Sequence, residues 1–144
     1  MIHLQKRNIV RDSVHKLAHE NRKINLSFFH LRHFRQLCRY INYDTLYMLI
    51  RALILSRLDY CNSLMACSSQ STLSRLQRVQ DAAARLICAA SARTHAAPLL
   101  KQLHWLPVSS RIQFKLCTLM FDINHGTAPQ YLSELVRHLS LIHI

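Results

Sequence analysis

Chain breakers are nearly missing from this sequence: 144 residues contain one Gly and three Pro. The tight turns of all-β and α/β proteins draw on these two residue types, Gly for positive φ and Pro for a preset φ. Their scarcity points to an all-helical chain, which needs few of them. Acidic residues are also scarce, 7 Asp plus Glu against 19 Lys plus Arg, for a formal net charge of +12. The seven acids, Asp12, Glu20, Asp44, Asp59, Asp81, Asp122 and Glu134, are scattered, and no two are adjacent. Two-metal phosphoryl transfer clusters carboxylates around cations about 4 Å apart, so no catalytic residue and no enzyme activity are expected. Cys38, Cys61, Cys67, Cys88 and Cys117 form no CxxC pair, and no histidine pair follows them at finger spacing. No metal or other cofactor is therefore expected, and the cysteines read as small apolar residues in a reducing compartment. A Gly-x-Ser-x-Gly nucleophile elbow is absent. The most apolar run, Leu46 to Leu58, is interrupted by Arg51 and Arg57 and is too short to cross a bilayer. The first residues mix Lys6, Arg7 and Arg11 with apolar positions but lack an apolar secretory core. Nucleus or cytoplasm is the expected location rather than the secretory route, with no membrane partner and no small-molecule substrate.

What is present is helical periodicity. Leu31, Phe34, Leu37 and Cys38 recur every three to four residues within Ile24 to Cys38. Asp44 to Leu64 is apolar on most faces, through Leu46, Leu49, Leu53 and Leu58, and reads as a central buried helix capped by Asp44. Gln70 to Ser74 is a polar break in which Ser71 is placed to cap a helix running to about Ala90. At about 100° per residue, Leu73, Leu76, Val79, Ala83, Leu86 and Ile87 share one arc of that helix, and Arg75, Arg78 and Arg85 the opposite one. A short helix from Thr94 to Leu103 tolerates Pro98 in its first turn. After the connector His104 to Pro107, Ser109 is the expected cap of a helix to about Asn124, with Ile112, Leu116, Leu119 and Ile123 inward. Gly126 marks its left-handed end. Thr127 and Gln130 fit a capping box for a last helix with an apolar face of Tyr131, Leu132 and Leu135.

Most of the cations are Arg, whose planar fork matches phosphate in a bidentate way. Arg75, Arg78 and Arg85, with Arg111 and Lys115 one turn apart downstream, are the candidate phosphate contacts. Two readings fit them: a nucleic-acid surface, or a solvated face that aids solubility. Trp105 among Leu and Val reads as a core anchor, with base stacking the alternative. His30 and His33 share a helix face and read as surface or satisfied histidines.

Several strings, in order, resemble the C-terminal region of LINE-type (non-LTR) retrotransposon reverse transcriptases of the jockey and chicken-repeat kinds. They are Phe28-Phe29-His30-Leu31-Arg32, Ser56-Arg57-Leu58-Asp59-Tyr60-Cys61-Asn62-Ser63-Leu64, Leu76-Gln77-Arg78-Val79-Gln80 with Ala82-Ala83-Ala84-Arg85-Leu86, and Leu103-His104-Trp105-Leu106-Pro107-Val108. Arg111-Ile112, Phe114-Lys115, His125-Gly126, Ala128-Pro129 and Tyr131-Leu132 complete the series, which spans about Ile24 to Leu135. Cys67-Ser68-Ser69 stands where that family usually has a Gly-Leu-Pro turn, and Asp81 stands where it has Asn. The resemblance implies a thumb and post-thumb region, an irregular bundle of about five to seven helices, that supports template-primer binding. The aspartates that polymerise would lie in an upstream palm, so the implied partners are that polymerase domain and RNA or RNA–DNA hybrid. Alternatives are a helical protein-interaction piece and a product with no nucleic-acid role. The expected single unit is 1–138. Leu139 to Ile144 reads like a translated sequencing-library adapter and is expected to be a non-native tail.

Overall fold

In the computed structural model, residues 21–142 are described, apart from Lys23, 61–64 and Cys67, with side chains described through Val136. Every regular element among them is helical and no strand occurs. The elements are α1 (24–37), α2 (Tyr43–Ile50), a π-helical turn (Arg51–Leu55), α3 (Ser56–Asp59), α4 (Gln70–Ile87), α5 (Ala96–Gln102), α6 (Val108–Asn124) and α7 (Gln130–Ile142). Expectations that rest on the first 20 residues, on Cys61 to Leu64 and on Cys67 lie outside the described residues. So do His143 and Ile144, although the α7 backbone is helical across Leu139–Ile142.

The hub is α4 rather than the Asp44–Leu64 segment. It packs on α2 and the π-helical turn, on α5 and on α6, and its Leu76, Val79, Ala83, Ala84 and Ile87 are buried. Small residues at Ala83 and Ala84 let the neighbouring helices approach closely. Segment α2 to α3 is one continuous rod buried on one side only: Leu46, Ile50, Ile54, Leu55 and Leu58 face the core, while Tyr43 and Met48 face solvent. The π-helical turn is closed by Ser56 N–H donating to the Arg51 carbonyl, a five-residue span. Each such turn carries an extra residue, which brings Leu55 inward beside Ile54. Trp105 is buried and packs on Tyr47, with ring centroids 6.3 Å apart, so it is a core anchor.

Helix ends depart from the expected caps by a residue or two. Asn42, not Asp44, caps α2, its side chain accepting from Thr45 N–H at 2.9 Å. Asp44 lies instead in the first turn, where its charge complements the helix dipole. Ser69, not Ser71, caps α4, accepting from Thr72 N–H. Pro107 rather than Ser109 occupies the cap position of α6, without a side-chain cap of its own. The Thr127 hydroxyl donates back to the Asp122 carbonyl at 3.1 Å and makes no capping box with Gln130, whose amide donates to Glu134.

Three helices end in the same left-handed closure. Gly126 does so as its sequence suggests, with φ 71°, but Ala89 (φ 48°) and His104 (φ 54°) adopt it too. In each case two crossed bonds close the end, such as Ala90 N–H to the Arg85 carbonyl and Ala89 N–H to the Leu86 carbonyl. A Cβ in this region costs roughly 1 kcal/mol. Ala89→Gly should therefore stabilise the fold by about 1 kcal/mol, and Gly126→Ala should destabilise it by a similar amount. A Cβ at Gly126 would meet no atom within 4 Å, so that loss isolates the backbone term. Urea denaturation of the two variants checks both signs.

Candidate nucleic-acid interface

The five cations expected to contact phosphate are split between α4 and α6, and most are occupied within the fold. Arg75 donates to the Asn21 side chain, joining α4 to the start of the α1 region. Arg85 Nε donates to the Thr94 carbonyl at 2.8 Å and holds the α4–α5 connection. Arg111 Nη2 forms an ion pair with Asp59 Oδ2 at 2.8 Å, and its Nη1 is buried without an acceptor among the described residues. Lys115 Nζ reaches the Asp59 carbonyl at 3.5 Å. Arg78 is exposed and has no hydrogen-bond partner among the described residues.

The structure also brings in cations that wheel arithmetic on α4 could not show. Asn21 meets Arg75, while Phe28, Leu31, Arg32 and Arg35 share a groove with Ala82 and Leu86. The two helices therefore run side by side in the same direction. The groove between them has a volume of about 270 Å³. Arg32 and Arg35 are exposed at three-residue spacing on one face of α1, and exposed Arg39 lies in the turn that follows it. Residues 24–37 contain no acid, and Asp81, the only acid of α4, accepts from Gln77 Nε2 at 2.8 Å. The pKa of His30 is lowered by burial, by Arg57, whose guanidinium lies 3.3 Å from the imidazole, and by His33. The spacing of the α1 arginines was visible in the sequence; their alignment with α4 was not.

A second concavity, of about 630 Å³, lies between α6 and the connector after α5, with Asp59, Trp105, Arg111, Phe114, Lys115 and Leu119 among its walls. Its charges are balanced, Asp59 and Asp122 against Arg111 and Lys115. Only the first part of α6 is covered. Val108 and Ile112 are buried and Leu116 half-buried, but Leu119, expected inward, is exposed, as are Phe114, Met120 and Phe121. On α7 the expected apolar face is likewise open, with Tyr131 62% and Leu135 57% exposed. The reason is tertiary: none of the described residues packs over these positions.

Buried Gln80 and half-buried Gln77, read in the sequence only as part of a string, form a polar clasp. Gln80 Nε2 donates to the Leu106 carbonyl at 2.9 Å, and Gln77 Oε1 accepts from Val108 N–H at 2.8 Å. That second bond satisfies the first free N–H of α6, which Pro107 leaves uncapped.

Among the described residues no group of three or more His, Cys, Asp or Glu side chains could hold a metal ion, and Cys38, Cys88 and Cys117 are free thiols. No helix among the described residues is long and apolar enough to cross a membrane. What this interface can do chemically is bind a polyanion through guanidinium groups beside an apolar floor. Compared with protein-family models, curated proteins and solved structures, the chain matches none.

Proposed function

We propose that this chain is a non-catalytic helical part of a LINE-type reverse transcriptase, supporting the grip on template and primer of a polymerase domain elsewhere in the protein. The ordered series of strings from Phe28 to Leu132 supports the family reading. The observation that carries the nucleic-acid reading is the set of exposed Arg32, Arg35 and Arg78 beside the α1–α4 groove, where the one nearby acid of α4, Asp81, is hydrogen-bonded to Gln77. Each phosphate neutralised there releases counterions, so log affinity should fall linearly with log salt at a slope of about −0.9 per duplex phosphate. Fluorescence anisotropy with a labelled RNA–DNA hybrid from low to physiological salt measures it. A steep fall is expected; affinity that is flat with salt, or absent at low salt, would sink the reading.

A second reading is favoured by the open faces of α6 and α7, where Phe114 is 65% and Phe121 58% exposed. Contiguous apolar surface of this kind marks a packing site for another protein surface. On this reading the chain is chiefly a piece that docks on its polymerase domain. Sedimentation of the same samples separates the two: self-association without salt-sensitive binding favours docking alone.

A further inference from the structure

We infer that the α1–α4 groove seats one unpaired base of a single-stranded nucleic acid, with Arg32, Arg35 and Arg78 on the flanking phosphates. The inference rests on the nucleic-acid reading and adds which strand state the surface selects.

The groove has two chemistries side by side. Its floor is apolar, made by Leu31, Ala82 and Leu86, and Phe28 stands on its wall, 37% exposed. Its rim is cationic, with Arg32 and Arg35 lining it and Arg78 one turn before Ala82 on α4. A duplex presents phosphates outward and keeps its base faces stacked inside. It would use the rim and leave the apolar floor wet. An unpaired strand offers both a phosphate and a free ring face, which pairs with an aromatic side chain regardless of base identity. The volume of about 270 Å³ lies below the roughly 300 Å³ at which drug-sized ligand sites begin, so a single flat ring fits better than a larger ligand. An acidic peptide would satisfy the arginines but has no flat face for Phe28. Exposed Arg39, in the turn just after α1, adds a further cation beyond the groove.

The test uses the full chain with short oligouridylate, an RNA–DNA hybrid and polyglutamate as probes, and compares Phe28→Leu, Phe28→Tyr and the pair Arg32→Gln with Arg35→Gln. Leucine keeps the apolar volume and removes the ring; tyrosine keeps the ring. Expected is tighter binding of oligouridylate than of hybrid and roughly tenfold weakening by Phe28→Leu with little change in salt slope. Phe28→Tyr should retain binding. The arginine pair should make the slope shallower by about 0.7 for each phosphate it no longer neutralises. Equal or better binding of hybrid, or indifference to Phe28→Leu, overturns the groove while leaving nucleic-acid binding intact. Polyglutamate that competes as well as oligouridylate overturns it in favour of an acidic polypeptide. Failure of both nucleic acids to bind at low salt overturns the groove and the proposed function together.

Discussion

Ile54→Ala should lower the stability of this fold by about 3 kcal/mol. Ile54 is fully buried, within a column formed with Ile50 and Leu58 one turn to either side, and Leu55 is buried next to it. Alanine removes three carbons from a core site against which α4 packs. The π-helical turn around Ile54 is already pinned, since the Ser56 hydroxyl donates to the Ala52 carbonyl and Ser56 N–H to Arg51. The backbone therefore has little freedom to collapse into the void, which favours the upper half of the usual cavity cost. At this chain length the melting temperature should fall by about 10 °C. Met48→Ala on the exposed side of the same rod, where the side chain is 64% exposed, should change stability by less than about 0.5 kcal/mol. Thermal and urea denaturation followed by circular dichroism gives both numbers. A loss below about 1 kcal/mol for Ile54→Ala would mean the π-helical turn does not point Ile54 into the core.

Gln80→Met should cost about 2 kcal/mol although it replaces a polar side chain by an apolar one of similar length. Gln80 is 0% exposed, and its amide both donates to the Leu106 carbonyl and accepts from Gln77 Nε2 at 3.1 Å. Methionine fills the space but removes two hydrogen bonds, the one to the Leu106 carbonyl and the one from Gln77 Nε2, each worth about 1 kcal/mol. The damage should be local as well as global. Leu106 leads into α6, and Gln77, which holds Val108 N–H, loses its neighbour in the clasp. Trp105 sits at this junction, so its fluorescence should show the connector loosening at lower urea than the helical signal does. A neutral Gln80→Met would show that the two hydrogen bonds of Gln80 contribute nothing net to stability.

The inward arc of α4 was legible because a single helix repeats its own geometry, and Leu76, Val79, Ala83 and Ile87 are buried as that arithmetic requires. Gln80 lies on the same arc and is just as buried, but no periodicity says that a carbonyl from residue 106 will arrive to meet it. Caps failed by one or two residues because Asn42, Asp44, Ser69 and Ser71 are all competent acceptors, and which one serves depends on where the preceding chain enters the helix. The closures at Ala89 and His104 carry neither Gly nor Asn, so nothing in their residue type announces a left-handed φ. Of the candidate cations, Arg75, Arg85 and Arg111 looked free because their partners, Asn21, Thr94 and Asp59, lie nine to 54 residues away in the chain. Leu119, Tyr131 and Leu135 show the converse: an apolar face says what a helix is able to bury, not that anything lies against it.

By itself, then, the sequence determined the helical class, since one Gly and three Pro cannot furnish the turns of a sheet, and it determined a cationic surface, since 19 basic residues greatly outnumber 7 acids. Tertiary structure alone decided which guanidinium groups hold the bundle together and which have no hydrogen-bond partner among the described residues. It did so by laying α1 along α4, where Arg32 and Arg35 line an apolar groove and Arg78 lies one turn before Ala82. The physical reason is that helix formation is governed by neighbours three and four residues away, whereas a groove is made by two helices whose register is set through packing between residues distant in the chain.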